Sequence, residues 1–136
     1  MENQLLFKTI QDAAFEVRLH LGPGYLETVY RRALAIELRA RGLSAREEAP
    51  LSVYYKGESV GEFRADILVE GCLILELKAV REITPAHEAQ LVNYLVASGL
   101  DYGFLINYGA EKFRFMKKTR IYDRSTGEPG VPGNPH

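Results

Sequence analysis

Apolar residues recur every three to four positions in three stretches of the chain, and this spacing predicts three amphipathic helices. The first helix is predicted over Asn3 to His20 and the second over about Tyr25 to Arg41. The third begins at Thr84-Pro85, a capping residue followed by proline at the first helical position, and reaches about Ser98. A glycine comes soon after each stretch, as is typical of helix ends.

Shorter runs of aliphatic and aromatic residues, bounded by turn residues, predict strands. These are Ala49 to Tyr55, Arg64 to Val69, Cys72 to Val80, Asp101 to Asn107 and Lys112 to Met116. The second and third strands are separated by Glu70-Gly71, which predicts a hairpin between them.

Apolar and charged positions alternate along this hairpin. The odd-numbered positions predict one continuous buried face made of Ala65, Ile67, Val69, Leu73, Leu75 and Leu77. The other face carries Arg64, Asp66, Glu76 and Lys78 beside Leu68 and Ile74. A two-residue turn at Glu70-Gly71 would mix the faces, because a slip of one residue exchanges them. We therefore predict a three-residue loop or a bulge, with Gly71 at a positive φ.

The charged face of the hairpin predicts chemistry. Asp66 and Glu76 repel each other if they converge, unless a cation lies between them. Mg²⁺ or Mn²⁺ fits best, because these ions take carboxylate oxygens, waters and phosphate oxygens. Lys78 could orient or deprotonate an attacking water, which suits phosphodiester hydrolysis. The spacing alone leaves another interpretation open, a solvated ladder of ion pairs from Glu76 to Lys78 and from Asp66 to Arg64.

Glu27 is the second candidate, in the first turn of the second helix. It lies at the edge of that helix's apolar stripe and can point toward the sheet. With Gly24 as N-cap, Glu27 would occupy the third helical position, where a carboxylate bonds back to the cap. The residues leave both a capping role and a metal-site role open.

Three motifs carry a resemblance to a known family. They are Gly24-x-x-Glu27-x-x-Tyr30, then Asp66 with Glu76-Leu77-Lys78, and then Gln90-x-x-x-Tyr94. In order and spacing they resemble the GxxExxY family of the PD-(D/E)XK nuclease superfamily, over about Leu5 to Phe115. The resemblance implies an α/β fold with a PD-(D/E)XK nuclease-like core, a central mixed β-sheet flanked by helices. One position departs from the superfamily name, since Ala65 stands where the name has proline.

The same resemblance implies roles for individual residues. Asp66 and Glu76 would bind Mg²⁺ or Mn²⁺, Lys78 would assist the water, and Glu27 would complete the metal site. Gln90 and Tyr94 would lie near that site. Tyr30 and Tyr94 are expected either as core aromatics with a bonded hydroxyl or as groups that orient Glu27 and Gln90.

Composition limits the substrate and the size of the fold. The chain has 136 residues, 46% hydrophobic and 26% charged, which suits one globular domain. We place that domain at residues 1–122 and expect 123–136, rich in glycine and proline, to form a mobile tail. The net charge of −1 argues against a broad nucleic-acid-coating surface, so a nucleic acid would be held locally. Candidate phosphate contacts are Arg31, Arg32, Lys56, Arg81, Lys112, Arg114, Lys117, Lys118 and Arg120.

Two further features concern the end of the fold and the compartment. Lys112 to Arg120 alternates basic and aromatic residues, which suits either contact with a nucleic-acid backbone or an edge strand protected by charge. Cys72 is the only cysteine, which excludes an internal disulfide and favours a reducing compartment. No apolar run is long enough to span a bilayer, and the first residues lack a secretory signal. A cytoplasmic protein is expected.

Two functions follow as hypotheses. The first is a Mg²⁺- or Mn²⁺-dependent nuclease that hydrolyses phosphodiester bonds, with DNA favoured over RNA. The second is a nuclease-fold module that does not cleave and acts through a protein or nucleic-acid partner. Intact Asp66, Glu76 and Lys78 favour the enzyme. The small size and near-neutral charge favour the module, or an enzyme that depends on a homo-oligomer or a protein partner.

Overall fold

The computed structural model of the chain describes residues 3–109, 111–120, 122–123 and 128–129. The helices are α1 Asn3–Leu21, α2 Glu27–Ala40 and α3 Pro85–Ser98. The strands are β1 Ala45–Tyr55, β2 Glu58–Val69, β3 Leu73–Lys78, β4 Tyr102–Asn107, β5 Arg114–Thr119, β6 Tyr122–Asp123 and β7 Glu128–Pro129. The predicted helices are therefore confirmed, and α3 has the predicted ends, with Thr84 as N-cap and Gly99 as C-cap.

The main sheet has the strand order β1-β2-β3-β4-β5. Only β3 and β4 pair in parallel, and the other neighbouring pairs are antiparallel. A parallel pair needs a crossover connection, and α3 supplies it. The predicted α/β fold with a mixed sheet flanked by helices is confirmed. Lys112 to Arg120 contributes β5, which is an edge strand, as one of the two interpretations predicted.

Helices cover both faces of the sheet. On one face α1 and α2 pack Ile10, Val17, Leu34 and Leu38 against Leu75 and other sheet residues. On the opposite face α3 packs Leu91 and Leu95 against Ile74 and Leu105. The face with Glu76 and Lys78 is thus a second core layer, and the solvated ladder of ion pairs is wrong. Arg64 donates instead to the Glu48 carbonyl at 3.5 Å.

The predicted continuous face of the hairpin is also interrupted. Ala65 packs with Ala49 on the α3 side, whereas Ile67 and Val69 pack on the α1 and α2 side. β1 carries Glu48 at a positive φ of 50° beside this point. The backbone bends there, so the strict alternation assumed for a regular strand does not hold.

The loop of the hairpin agrees with the prediction. Val69 pairs with Leu73, which leaves three residues in the loop, and Gly71 has φ 66°. Glu70 also has a positive φ, 53°. Its carboxylate accepts the Ser44 N–H at 2.7 Å, a contact that holds the loop against the connection before β1.

The predicted tail, 123–136, lies outside the described residues except where β6 pairs with β7. Within the ranges that the structure describes, no helix is both long and apolar enough to span a membrane.

Candidate functional site

The candidate site forms where β2 and β3 stop pairing. Their backbone ladder ends at Ile67 and Leu75. One step further, the Asp66 N–H donates to Glu76 Oε2 at 3.0 Å, and the Leu77 N–H donates to Asp66 Oδ2 at 2.8 Å. Two carboxylates thus replace backbone partners and lie side by side in the gap between the strands.

The two carboxylates are poorly compensated. Glu76 is only 5% exposed. Burial and the neighbouring Asp66 charge raise the pKa of Glu76 to about 8. Burial also raises the pKa of Asp66, although the Leu77 N–H and the Lys78 charge oppose this. Neither carboxylate forms an ion pair with any described residue, so near neutral pH the pair must take up a proton or a cation.

Glu27 approaches this pair from α2 but not as a capping residue. It is the first helical residue, and the N-cap is Leu26, which makes no side-chain capping bond. The prediction of Gly24 as N-cap is wrong. The Tyr30 hydroxyl donates to the Gly22 carbonyl at 2.6 Å and accepts the Tyr25 N–H at 3.2 Å. These bonds hold the turn before α2, and the helix begins only after it.

Glu27 lies at the rim of the site, on an exposed position of the chain. Partial burial and the Asp66 charge raise the pKa of its carboxyl, and the Lys78 and Arg31 charges lower it. The Glu27 and Asp66 charges therefore interact. The sequence left a capping role and a metal-site role open for Glu27, and the capping bond is not formed.

Lys78 and two residues of α3 complete the group. The Lys78 ammonium lowers the pKa of all three carboxyls, and it donates to Gln90 Oε1 at 3.4 Å. Burial raises the pKa of the Tyr94 hydroxyl, and the Glu76 and Asp66 charges raise it further. The Tyr94 ring stacks on Phe63 of β2, with centroids 3.7 Å apart and 9° between planes.

Tyr30 lies elsewhere. It is fully buried and stacks on Tyr108, with centroids 4.5 Å apart. Its hydroxyl bonds go to the turn before α2, so any effect on Glu27 is indirect. Sequence reasoning weighed Arg31 only as a phosphate contact and missed its place beside the site, where it ion-pairs with Glu47 at 3.3 Å and lowers the Asp66 and Glu27 pKa values. Arg31 follows Glu27 by four residues on α2, and this helical spacing places the two side chains next to each other, so the sequence could have indicated its position.

The donor set determines which ions could bind here. No three His, Cys, Asp or Glu side chains converge as a metal cage within the part of the chain that the structure describes. Mg²⁺ needs no such cage, because one or two carboxylates, waters and substrate phosphate oxygens suffice. Asp66 and Glu76 in their gap fit that requirement, and a zinc site of nitrogen and sulfur ligands does not.

Comparisons with known proteins bear on the fold and the family. A family model described as the PD-(D/E)XK nuclease superfamily matches residues 4–120. The crystal structure of SSO0001 is similar in fold, with a TM-score of 0.53 and 18% identity, over 72% of this chain and 52% of that chain. The similar region therefore spans about half of SSO0001. No curated protein matches the chain.

Proposed function

The chain belongs to the PD-(D/E)XK nuclease superfamily, and we propose that it is a nuclease that hydrolyses phosphodiester bonds with Mg²⁺ or Mn²⁺. The family supports nuclease activity and a nucleic-acid substrate. The observation that carries the metal dependence is the pair of carboxylates in the gap between β2 and β3. We expect DNA ahead of RNA as substrate, and we assign the chain to the GxxExxY family on its Gly24-x-x-Glu27-x-x-Tyr30 motif.

Asp66 and Glu76 would hold the divalent ion, with Glu27 as the third acidic group at the rim. Bound there, the ion would neutralise the carboxylates and polarise a phosphate oxygen. The raised pKa of Glu76 supports this assignment. A buried carboxyl binds a proton near neutral pH because the fold supplies no partner for its negative charge. A bound cation would be that partner.

Lys78 is the proposed catalytic cation. Its charge lowers the pKa of all three carboxyls, and within the described residues it forms no ion pair. It is therefore available to orient the attacking water and to stabilise negative charge on the phosphoryl oxygens. Gln90, which accepts from Lys78, would hold the ammonium in place, and Tyr94 would orient groups from the α3 side.

We place the activity in residues 1–122. A reducing, cytoplasmic location is proposed from the single cysteine, Cys72, which is free and exposed. A second copy of the chain or another protein would assist if the isolated chain proves inactive.

The test combines metal binding and cleavage. Calorimetry should detect Mn²⁺ binding to the wild type but not to Asp66→Ala or Glu76→Ala. Glu62→Ala, which removes an exposed carboxylate from the same strand as Asp66, is the matched control and should bind as the wild type does. Unchanged binding in both site variants would move the metal site elsewhere.

Cleavage is assayed on a panel of DNA and RNA substrates with Mg²⁺ or Mn²⁺. Lys78→Met should keep the fold and the Mn²⁺ affinity while cleavage falls by roughly two or more orders of magnitude. If wild type and variant both leave every substrate intact yet share a partner, the chain is the non-cleaving module.

A further inference from the structure

Arg81, Lys112 and Arg114 are grouped around one concave surface. They line a pocket of about 640 Å³ together with Asn107 and Gly109. Other cations of the chain are neutralised by carboxylates, namely Lys8, Arg31, Arg39, Arg41, Lys118 and Arg120. The three pocket cations form no ion pair with any described residue. Cations that form no ion pair around a pocket favour an anionic ligand.

The pocket lies next to the candidate site. Lys78 pairs with Asn107 across β3 and β4, and Asn107 pairs with Arg114 across β4 and β5. Paired residues share a face, so these three form a row on the α3 side of the sheet. Two strand spacings, about 10 Å, separate the ends of the row. The row lies at the carboxyl ends of the parallel strands, where ligands bind in open α/β sheets.

A buried asparagine joins the segment that carries Arg81 to the end of β4. Asn107 is fully buried. Its Oδ1 accepts the N–H groups of Val80 at 3.1 Å and Gly109 at 3.0 Å, and its Nδ2 donates to the Val80 carbonyl at 2.9 Å. A Cβ on Gly109 would lie 2.4 Å from the carbonyl carbon of Ala79, so the loops touch at this point. These bonds hold the segment that leads to Arg81 against the end of β4, beside Arg114 of the neighbouring strand β5.

Two carboxylates moderate the pocket. Glu82 and Glu111 also line it, so its three cations and two carboxylates have a net charge of +1. Arg18 of α1 donates to the Glu111 carbonyl at 3.2 Å and so holds that loop's backbone. This modest excess suits one locally held phosphate better than a long basic groove, in agreement with the chain's net charge of −1.

We propose that Arg81, Lys112 and Arg114 bind a backbone phosphate of the nucleic acid, displaced from the bond that is cut. The proposal rests on the nuclease function proposed above. The row length of about 10 Å corresponds to about three base-pair steps along the axis of a duplex. The substrate therefore extends from Lys78 across the ends of β3 and β4 toward β5. Asn107 acts as a positioning residue for this subsite.

The test measures binding rather than cleavage. Fluorescence anisotropy follows a labelled DNA oligonucleotide, single-stranded or duplex, over a range of salt concentrations with Mn²⁺. All proteins carry Lys78→Met so that the DNA stays intact. The triple variant Arg81→Gln, Lys112→Gln, Arg114→Gln should bind more weakly, and its slope of log affinity against log salt should be shallower by about one, as expected for the loss of one phosphate contact. Its Mn²⁺ affinity should be unchanged, which checks the fold.

The matched control removes the same charge elsewhere. Lys8, Arg41 and Arg46 are exposed and lie neither in the pocket nor among the candidate phosphate contacts, so their replacement by glutamine tests general electrostatics. An equal loss in the control, an unchanged slope in the pocket variant, or no binding by the reference protein would each overturn the subsite. A failure of the proposed nuclease function would look different. The chain with Lys78 intact would leave DNA uncut, but the pocket variant would still show a shallower salt slope than the reference protein.

Discussion

The two halves of the β2–β3 hairpin differ in how their backbone groups are hydrogen-bonded. In the loop half, residues 67–75, backbone groups pair with backbone groups and the strand side chains on either side of the loop are packed in the cores. In the open half, Asp66 with residues 76–78, carboxylates take the backbone's place as acceptors. The loop half is satisfied by the chain itself. The open half leaves charge without a partner, so the fold must be stable enough to tolerate it, and that charge is available to a ligand.

The largest expected effect breaks the loop half. Leu75 is fully buried and pairs with Ile67. Leu75→Ala should lower the free energy of unfolding by about 2–5 kcal/mol, because it leaves a cavity. The paired variant in the open half is Asp66→Asn, which keeps an acceptor for the Leu77 N–H but removes a buried charge.

Urea unfolding without metal measures both variants. Asp66→Asn should not lower the free energy of unfolding and can raise it, since it relieves repulsion with Glu76. Equal losses of unfolding free energy in Leu75→Ala and Asp66→Asn would show that Asp66 stabilises the fold as Leu75 does, which would contradict the comparison.

Where the sequence predicted well, the deciding contacts are local. Thr84, Pro85 and Gly99 set the ends of α3 through bonds within a few residues, and these rules transfer directly from sequence to structure. The three-residue loop followed from alternation over only a few positions. The proximity of Asp66 and Glu76 followed from that loop, because a hairpin register fixes which residues meet.

Where the prediction was wrong, a distant contact decided the outcome. The start of α2 depends on the Tyr30 hydroxyl, which bonds the preceding turn while its ring stacks on Tyr108 in another part of the chain. The burial of the second sheet face depends on α3 packing against Ile74. The role of Asn107 depends on two loops meeting. No periodicity in the sequence encodes these contacts.

A smaller effect uses pH to distinguish the halves. Glu76 has its folded-state pKa raised from 4.5 to about 8, so between these values the folded chain binds a proton that the unfolded chain has released. The free energy of unfolding without metal should therefore fall as pH rises from about 5 to about 8, by at most about 1.4 kcal/mol per pH unit. Stability below about pH 4.5 is not reduced by this residue.

Glu76→Gln should flatten that dependence, whereas Glu62→Gln, with an exposed carboxylate on β2, should keep it. Mn²⁺ should stabilise the wild type more at pH 8 than at pH 5, since binding requires the ionised pair. Chemical denaturation at several pH values measures the wild type with and without Mn²⁺ and the two variants without metal. A wild type equally stable at both pH values without metal would contradict the claim that the open half holds uncompensated charge.

The smallest expected change in stability concerns Glu27, which borders the open half from α2. As the first helical residue it interacts with the helix dipole, worth about 0.3–1 kcal/mol. Partial burial and the Asp66 charge raise the pKa of its carboxyl, which offsets part of that gain. Glu27→Gln should therefore unfold within about 1 kcal/mol of the wild type in metal-free buffer. As a member of the metal site it needs its charge, so Mn²⁺ affinity and cleavage should both fall. Glu37→Gln, later in α2 and ion-paired with Arg41, is the control that should keep native Mn²⁺ affinity. Native metal affinity in Glu27→Gln would leave this carboxylate as a helix-terminal charge alone and restrict the site to the hairpin.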